Sequence, residues 1–165
     1  MKTLLLVRHA KSCWENNLPD FDRPLNKRGI KDANLVSNAL MDSNINPNII
    51  LCSAANRTRL TADIFVKNLS LESIKIEYLK DLYDFSGDAL LKVLMSLDDF
   101  HDCVLLFAHN YALTNFVNAY GSTYIDNVTT SGFVKINFEI KSWRNLNKGQ
   151  TTKIVFPKHL KLCLQ

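Results

Sequence analysis

Leu4-Leu5-Leu6-Val7-Arg8-His9-Ala10 is the stretch on which the reading of this chain turns. Four apolar residues run straight into an adjacent arginine and histidine. A short continuous apolar run of this kind reads as a buried strand of a parallel sheet. Open α/β sheets gather their chemistry at the carboxyl ends of such strands. An arginine there presents a planar fork of donors that matches phosphate oxygens. A neutral imidazole beside it acts as nucleophile, general base or metal ligand.

The same pattern recurs downstream. Ile49-Ile50-Leu51-Cys52 leads into Ser53-Ala54-Ala55-Asn56-Arg57, and Cys103-Val104-Leu105-Leu106-Phe107 leads into Ala108-His109-Asn110. With 3–7, 49–52 and 103–107 as parallel strands, Arg8, His9, Arg57 and His109 meet at one edge of the sheet. Helix amino-termini follow the second and third junctions, and their free N–H groups and dipole favour an anion. The expected ligand is a dianion, with phosphoryl the natural candidate.

Between these strands the periodicity alternates with helix. Asn26 caps an expected helix over 26–41, with Ile30, Ala33, Val36 and Leu40 on one face. Ser53 caps a second over 53–69. A strand over 74–79, a helix over 86–97 and a helix over 110–119 complete the body. The tail changes register: 132–140 alternates apolar and polar residues, and 153–156 follows after an Asn147-Lys148-Gly149 turn signal, which implies a hairpin. Residues 158–161 read as a solvated, frayed end. The expected fold is α/β: a three-layer sandwich with a mixed, mostly parallel sheet and helices on both faces, residues 1–165 forming a single domain.

Bulk properties exclude other classes. The 165 residues are 47% hydrophobic and 22% charged, with a formal net charge of +4 and no dense Lys/Arg run, so no nucleic-acid footprint is read. No apolar stretch reaches membrane-spanning length, and Arg8-His9 cuts the first apolar run too early for a signal peptide. Cys13, Cys52, Cys103 and Cys163 are widely spaced. They read as free thiols, with Cys52 and Cys103 buried, in a cytoplasmic protein without a disulfide frame or metal site.

Four motifs in order resemble the histidine phosphatase superfamily, also called phosphoglycerate mutase-like. They are Arg8-His9-Ala10 for its Arg-His-Gly, Pro24-Leu25-Asn26-x-x-Gly29-x-x-x-Ala33, Ser53-x-x-x-Arg57-x-x-x-Thr61-Ala62, and Ala108-His109-Asn110 for its Gly-His-Asn. Arg-His-Ala-Lys-Ser, Asp20-Phe21-Asp22-Arg23-Pro24 and Leu82-Tyr83 resemble the SixA-like phosphohistidine phosphatase branch. The resemblance implies a phosphoglycerate mutase-like fold and a metal-independent phosphatase without cofactor. In it, His9 takes the phosphoryl group, and Arg8, Arg57 and His109 hold its oxygens. The Ser12 hydroxyl reads as a further phosphate donor or as a group that stabilises its loop. Asp84 stands where the branch carries a glutamate that protonates the leaving group. Asp20 and Asp22 order their loop through turn and Arg23 contacts, Lys11 is a rim charge, and Trp14 and Trp143 are packing residues. Ala10 and Ala108 replace glycines, and Tyr111-Ala112 replaces Pro-Gly, with Tyr111 at the pocket mouth. The implied partner is a phosphorylated protein, phosphohistidine first, or a small phosphomonoester. A non-catalytic phosphate-recognition module is the competing reading, and the short chain disfavours a phosphomutase.

Overall fold

The computed structural model describes residues 1–15 and 17–162. Strands β1 (Lys2–Arg8), β2 (Ile49–Ser53), β3 (Ile76–Leu79), β4 (Cys103–Ala108), β5 (Phe133–Phe138) and β6 (Gln150–Val155) form one sheet in the order β3-β2-β4-β1-β5-β6. β1, β2, β3 and β4 are mutually parallel, whereas β5 is antiparallel to both β1 and β6. The β5–β6 hairpin expected from the tail is therefore present, with β6 starting earlier than its apolar residues suggested.

Helices α1 (Lys27–Ala39) and α2 (Asn56–Asn68) cover one face, and α3 (Asp88–Met95) and α4 (Ala112–Tyr120) the other. The period-2 alternation of the strands assigns each side chain to a face. Leu4 and Leu6 of β1 join Leu106, Leu94, Leu113 and Val117 in one core. Leu5 and Val7 join Phe107, Val36, Phe65 and Leu40 in the other. Each such fully buried side chain contributes roughly 1.5–3 kcal/mol of apolar burial, which locks the strand register that the site depends on.

Local differences from the expectation have physical causes. Ile30 on α1 is 47% exposed, outside the apolar stripe that Ala33 and Val36 occupy. Asn26 does cap α1, its side chain accepting from the Gly29 N–H at 2.8 Å. Ser53 is not the cap of α2: it ends β2, and α2 begins at Asn56 after Ala55 without a side-chain cap. The tail is not frayed through Leu162: Pro157–Leu162 forms α5, tied by Lys161 to the buried carboxylate of Asp32 on α1 at 2.6 Å. Cys52 is buried and Cys103 half-buried, both free like Cys13; Cys163 lies outside the described residues. No helix among the described residues is long and apolar enough to cross a membrane.

Candidate active site

The carboxyl ends of β1, β2 and β4 point the same way, because Arg8 pairs with Ala108 across the parallel β1–β4 ladder and Cys52 with Phe107 across β2–β4. A cavity of about 210 Å³ opens at this edge, lined in part by Arg8, His9, Ser12, Asp20, Arg23 and Arg57.

His9 is 9% exposed on its wall. Its Nδ1 lies 2.8 Å from the Ala10 carbonyl. A carbonyl only accepts, so Nδ1 carries the proton and Nε2 keeps its lone pair. Among the described residues, Nε2 makes no hydrogen bond. Burial pushes the His9 pKa down to about 3; the Ala10 bond opposes this, and Arg57, Arg8 and Arg23 reinforce it. The imidazole is therefore neutral throughout the physiological range.

The guanidinium of Arg8 is oriented by the 127–132 loop, donating from Nη1 to the Val128 carbonyl at 2.8 Å and to Asn127 Oδ1 at 3.3 Å. Arg57 sits in the first turn of α2, 2% exposed, and donates to Asp20 Oδ2 at 2.9 Å and to the Asp20 carbonyl. Arg57 also donates to His109 Nδ1 at 3.3 Å. That fixes the other tautomer for His109, whose Nε2–H donates to Ser53 Oγ at 2.7 Å. Here lies the reason Ser53 is not a helix cap: its hydroxyl serves a histidine from another strand end.

His109 is brought to the cluster but not to the cavity wall. It is fully buried, with its ring centroid 5.1 Å from that of His9 and the rings of Tyr83 and Phe85 packed at 5.3 Å. Burial, His9 and Arg57 together push its pKa down to about 2. In this arrangement its Nδ1 accepts from Arg57 and helps to orient that guanidinium.

Asp84 is not brought to the site. Its Oδ1 accepts from the Ser86 N–H, and its Oδ2 from the N–H groups of Gly87, Ala89 and Leu90 at 3.0–3.1 Å. The carboxylate holds the amino-terminal turn of α3, where orphan N–H groups and the helix dipole favour it. Burial is the largest single influence and opposes ionisation, but the bonds from Leu90, Gly87 and Ser86 together outweigh it and lower the pKa. In this structure the Asp84 carboxylate is bonded to the backbone of α3 and does not line the cavity.

Two residues carry more than the sequence suggested. Asp20 accepts from Arg23, Arg57 and, at 2.5 Å, the Tyr83 hydroxyl. Burial works against its charge, but those three donors hold the carboxyl well below the usual range. Arg23 is the third guanidinium of the cavity, 7% exposed, bonded to Ser12 Oγ at 2.9 Å and lying 3.5 Å over the Trp14 ring. Ser12 thus lines the cavity with its Oγ accepting from Arg23 and its O–H still available to donate, and Lys11 is exposed at the rim. Trp143 is fully buried as expected; Trp14 is 72% exposed and is a wall residue rather than packing. Tyr111 is 67% exposed and is not among the lining side chains. Among the described residues, no group of three or more His, Cys, Asp or Glu is placed to hold a metal ion.

The family described as the histidine phosphatase superfamily (branch 1) matches residues 4–90. The chain belongs to this superfamily. An uncharacterised chloroplastic protein of Arabidopsis thaliana is 46% identical over 61 residues, covering 36% of this chain and 28% of that protein. The match therefore spans about a quarter of that relative's length. Among solved structures, a candidate phosphohistidine phosphatase SixA from Agrobacterium tumefaciens superposes with a TM-score of 0.78 at 22% identity, covering 93% of this chain and 97% of that one. The protein histidine phosphatase SixA complexed with tungstate gives 0.77 at 20% identity, over 96% and 99%. A phosphoglycerate mutase from Bacillus anthracis gives 0.65 at 14% identity, over 99% and 97%. At these identities the likeness is one of fold, and it identifies the sandwich as phosphoglycerate mutase-like.

Proposed function

We propose that this chain, read as one domain over 1–165, is a metal-independent phosphohydrolase that works through a covalent phosphohistidine on His9. Its substrate class is protein phosphohistidine, as in the SixA-like branch. The single observation that carries the reading is the bare Nε2 of a neutral, buried His9 in a cavity walled by Arg8, Arg23 and Arg57. In the first half-reaction Nε2 attacks phosphorus in line and the leaving group departs with its electron pair. In the second, water attacks the phosphoryl group and His9 leaves, restored to its starting tautomer. The guanidinium groups supply the positive charge that a phosphoryl transition state requires, so no metal is needed.

The carboxylates support the substrate class. Asp84 is engaged on α3, and Asp20, the carboxylate lining the cavity, is held ionised by Arg23, Arg57 and Tyr83. No protonated acid stands ready for an alkoxide. An imidazole, whose conjugate acid has a pKa near 6.5, departs as a neutral molecule once its distal nitrogen is protonated by solvent. Phosphohistidine therefore suits this site better than phosphoserine.

The test has two arms. Enzyme quenched during turnover should carry an acid-labile, base-stable phosphate in the wild type and none in His9→Ala. Phosphohistidine and phosphoramidate should be turned over, aryl phosphates should slow steeply as the leaving-group pKa rises, and phosphoserine peptides should be nearly inert. Binding without turnover of any of these would favour the recognition module instead. Phosphoserine turned over as fast as phosphohistidine would overturn the substrate class.

A further inference from the structure

A larger cavity, about 380 Å³, lies beside the phosphoryl site and shares Thr130 with it as a common wall. It runs between α1 and α5 and is lined in part by Arg28, Asp32, Thr129, Lys158 and Lys161. Nothing in the proposed phosphoryl chemistry uses it.

Its charge is lopsided. Arg28, Lys158 and Lys161 face one carboxylate, Asp32, whose side chain is only 3% exposed. Asp32 lies 2.6 Å from Lys161 and 3.5 Å from Arg28, and three cations against one carboxylate leave a formal excess of two positive charges. Thr129 Oγ1 is buried on the same wall without a hydrogen-bond partner among the described residues.

A second observation points the same way. Lys27 and Arg28 occupy the first turn of α1, which holds no acidic residue. Cations at the positive end of a helix are locally unfavourable, typically by 0.3–1 kcal/mol each. Asp32 one turn on offsets Arg28 in part, whereas Lys27 has no ion-pair partner among the described residues. The docking of that turn is tight, because the Asn26 N–H donates to the Lys11 carbonyl at 3.0 Å, and Lys11 itself lines the phosphoryl cavity. Lys11, Arg28, Lys158 and Lys161 thus form a cationic ledge leading from one cavity into the next. The two cavities also share a loop, since the 127–132 segment supplies both Thr129 and the Val128 carbonyl that orients Arg8.

We propose that this cleft is a subsite for acidic side chains flanking the phosphorylated residue of a protein substrate. The phosphoryl group enters beside His9, and a neighbouring aspartate or glutamate lies against Arg28, Lys158 and the Thr129 hydroxyl. The assignment rests on the phosphoprotein reading above and adds the sequence context that the enzyme selects.

Binding of labelled peptides carrying a stable phosphonate analogue of phosphohistidine tests it, alongside phosphoramidate turnover as a report on the phosphoryl site alone. Glu-flanked peptides should bind about 3- to 10-fold tighter than Ser-flanked ones at low salt, the size expected of a few exposed ion pairs. The preference should shrink between 50 and 300 mM salt. Lys158→Glu, an exposed change unlinked to Asp32, should abolish or reverse it, and Arg28→Gln should reduce it. Equal affinity for the two peptides, or a preference untouched by Lys158→Glu, overturns the subsite. Failure to turn over phosphoramidate with the Glu preference intact would overturn the phosphatase reading while leaving the subsite standing.

Discussion

Replacing Asp84 by alanine separates two roles that its place in the chain makes easy to confuse. Its carboxylate accepts from four backbone N–H groups, Ser86, Gly87, Ala89 and Leu90, and from the Ser86 hydroxyl. Losing a side-chain cap typically costs about 0.5–2 kcal/mol, and the number of N–H groups orphaned here places Asp84→Ala near the top of that range. For a chain of this length 1 kcal/mol moves Tm by roughly 2–4 °C, so a drop of about 4–8 °C is expected. Loss of a general acid instead costs roughly 10²- to 10⁴-fold in rate. Thermal unfolding and phosphoramidate turnover measured on one preparation decide the matter. The expected variant melts early and turns over within about twofold of wild type below its melting range. The stability deficit also carries a pH signature. Asp84 has its pKa lowered in the fold, so its contribution is fully present above the unfolded value near 3.9 and is lost as pH falls through the lower folded value. The deficit should be constant from pH 8 to 5 and shrink below 4. A 100-fold fall in kcat at unchanged Tm would refute the reasoning and return Asp84 to the chemistry.

Other outcomes follow from the same structure. Arg57→Lys keeps the charge but loses the fork that reaches the Asp20 carbonyl, the Asp20 carboxylate and His109 at once; kcat/KM should fall by roughly 10²- to 10³-fold, and a loss under tenfold would count against the clamp. Gly29→Ala places a Cβ 2.2 Å from the Lys11 carbonyl oxygen, a backbone atom, so overpacking should cost about 1–3 kcal/mol, read as an earlier urea midpoint. His9 and His109 have folded pKa values pushed down to about 3 and about 2, from an unfolded value near 6.5. Their contribution to stability is complete above pH 6.5 and declines as pH falls towards 3, by at most about 1.4 kcal/mol per pH unit for each imidazole. Urea unfolding at pH 7 and 5 should show that decline, and His109→Asn should halve its slope.

The strands and the cluster at their ends were legible because they rest on local, strong signals. Leu4-Leu5-Leu6-Val7 and Val104-Leu105-Leu106-Phe107 are continuous apolar runs, and both are interior strands buried on two faces. Arg8, His9 and His109 come at the ends of such runs and Arg57 in the first turn of the helix after one, so a parallel sheet sufficed to bring them together. The misreadings are non-local. Ser53 has the chemistry of a cap, but His109, 56 residues away, claims its hydroxyl. α5 shows no amphipathic pattern of its own and is held by Asp32 from α1. Asp20 and Arg23 read as a loop pair because their spacing of three explains each by the other; only the fold adds Arg57 and Tyr83 to Asp20. For Asp84 the residue type and place read equally as an acid or as a helix-end acceptor, and the fold shows its carboxylate on the N–H groups just downstream.

Trp14 and Trp143 make the protein its own optical probe. Trp143 is sealed in the core with its indole N–H on the His101 carbonyl at 2.8 Å, so its emission is a blue-shifted, steady background. Trp14 lies in solvent with the Arg23 guanidinium 3.5 Å above its ring. An oxyanion that draws the Arg23 guanidinium off that ring should shift the red edge of the emission, which would report its arrival without a label.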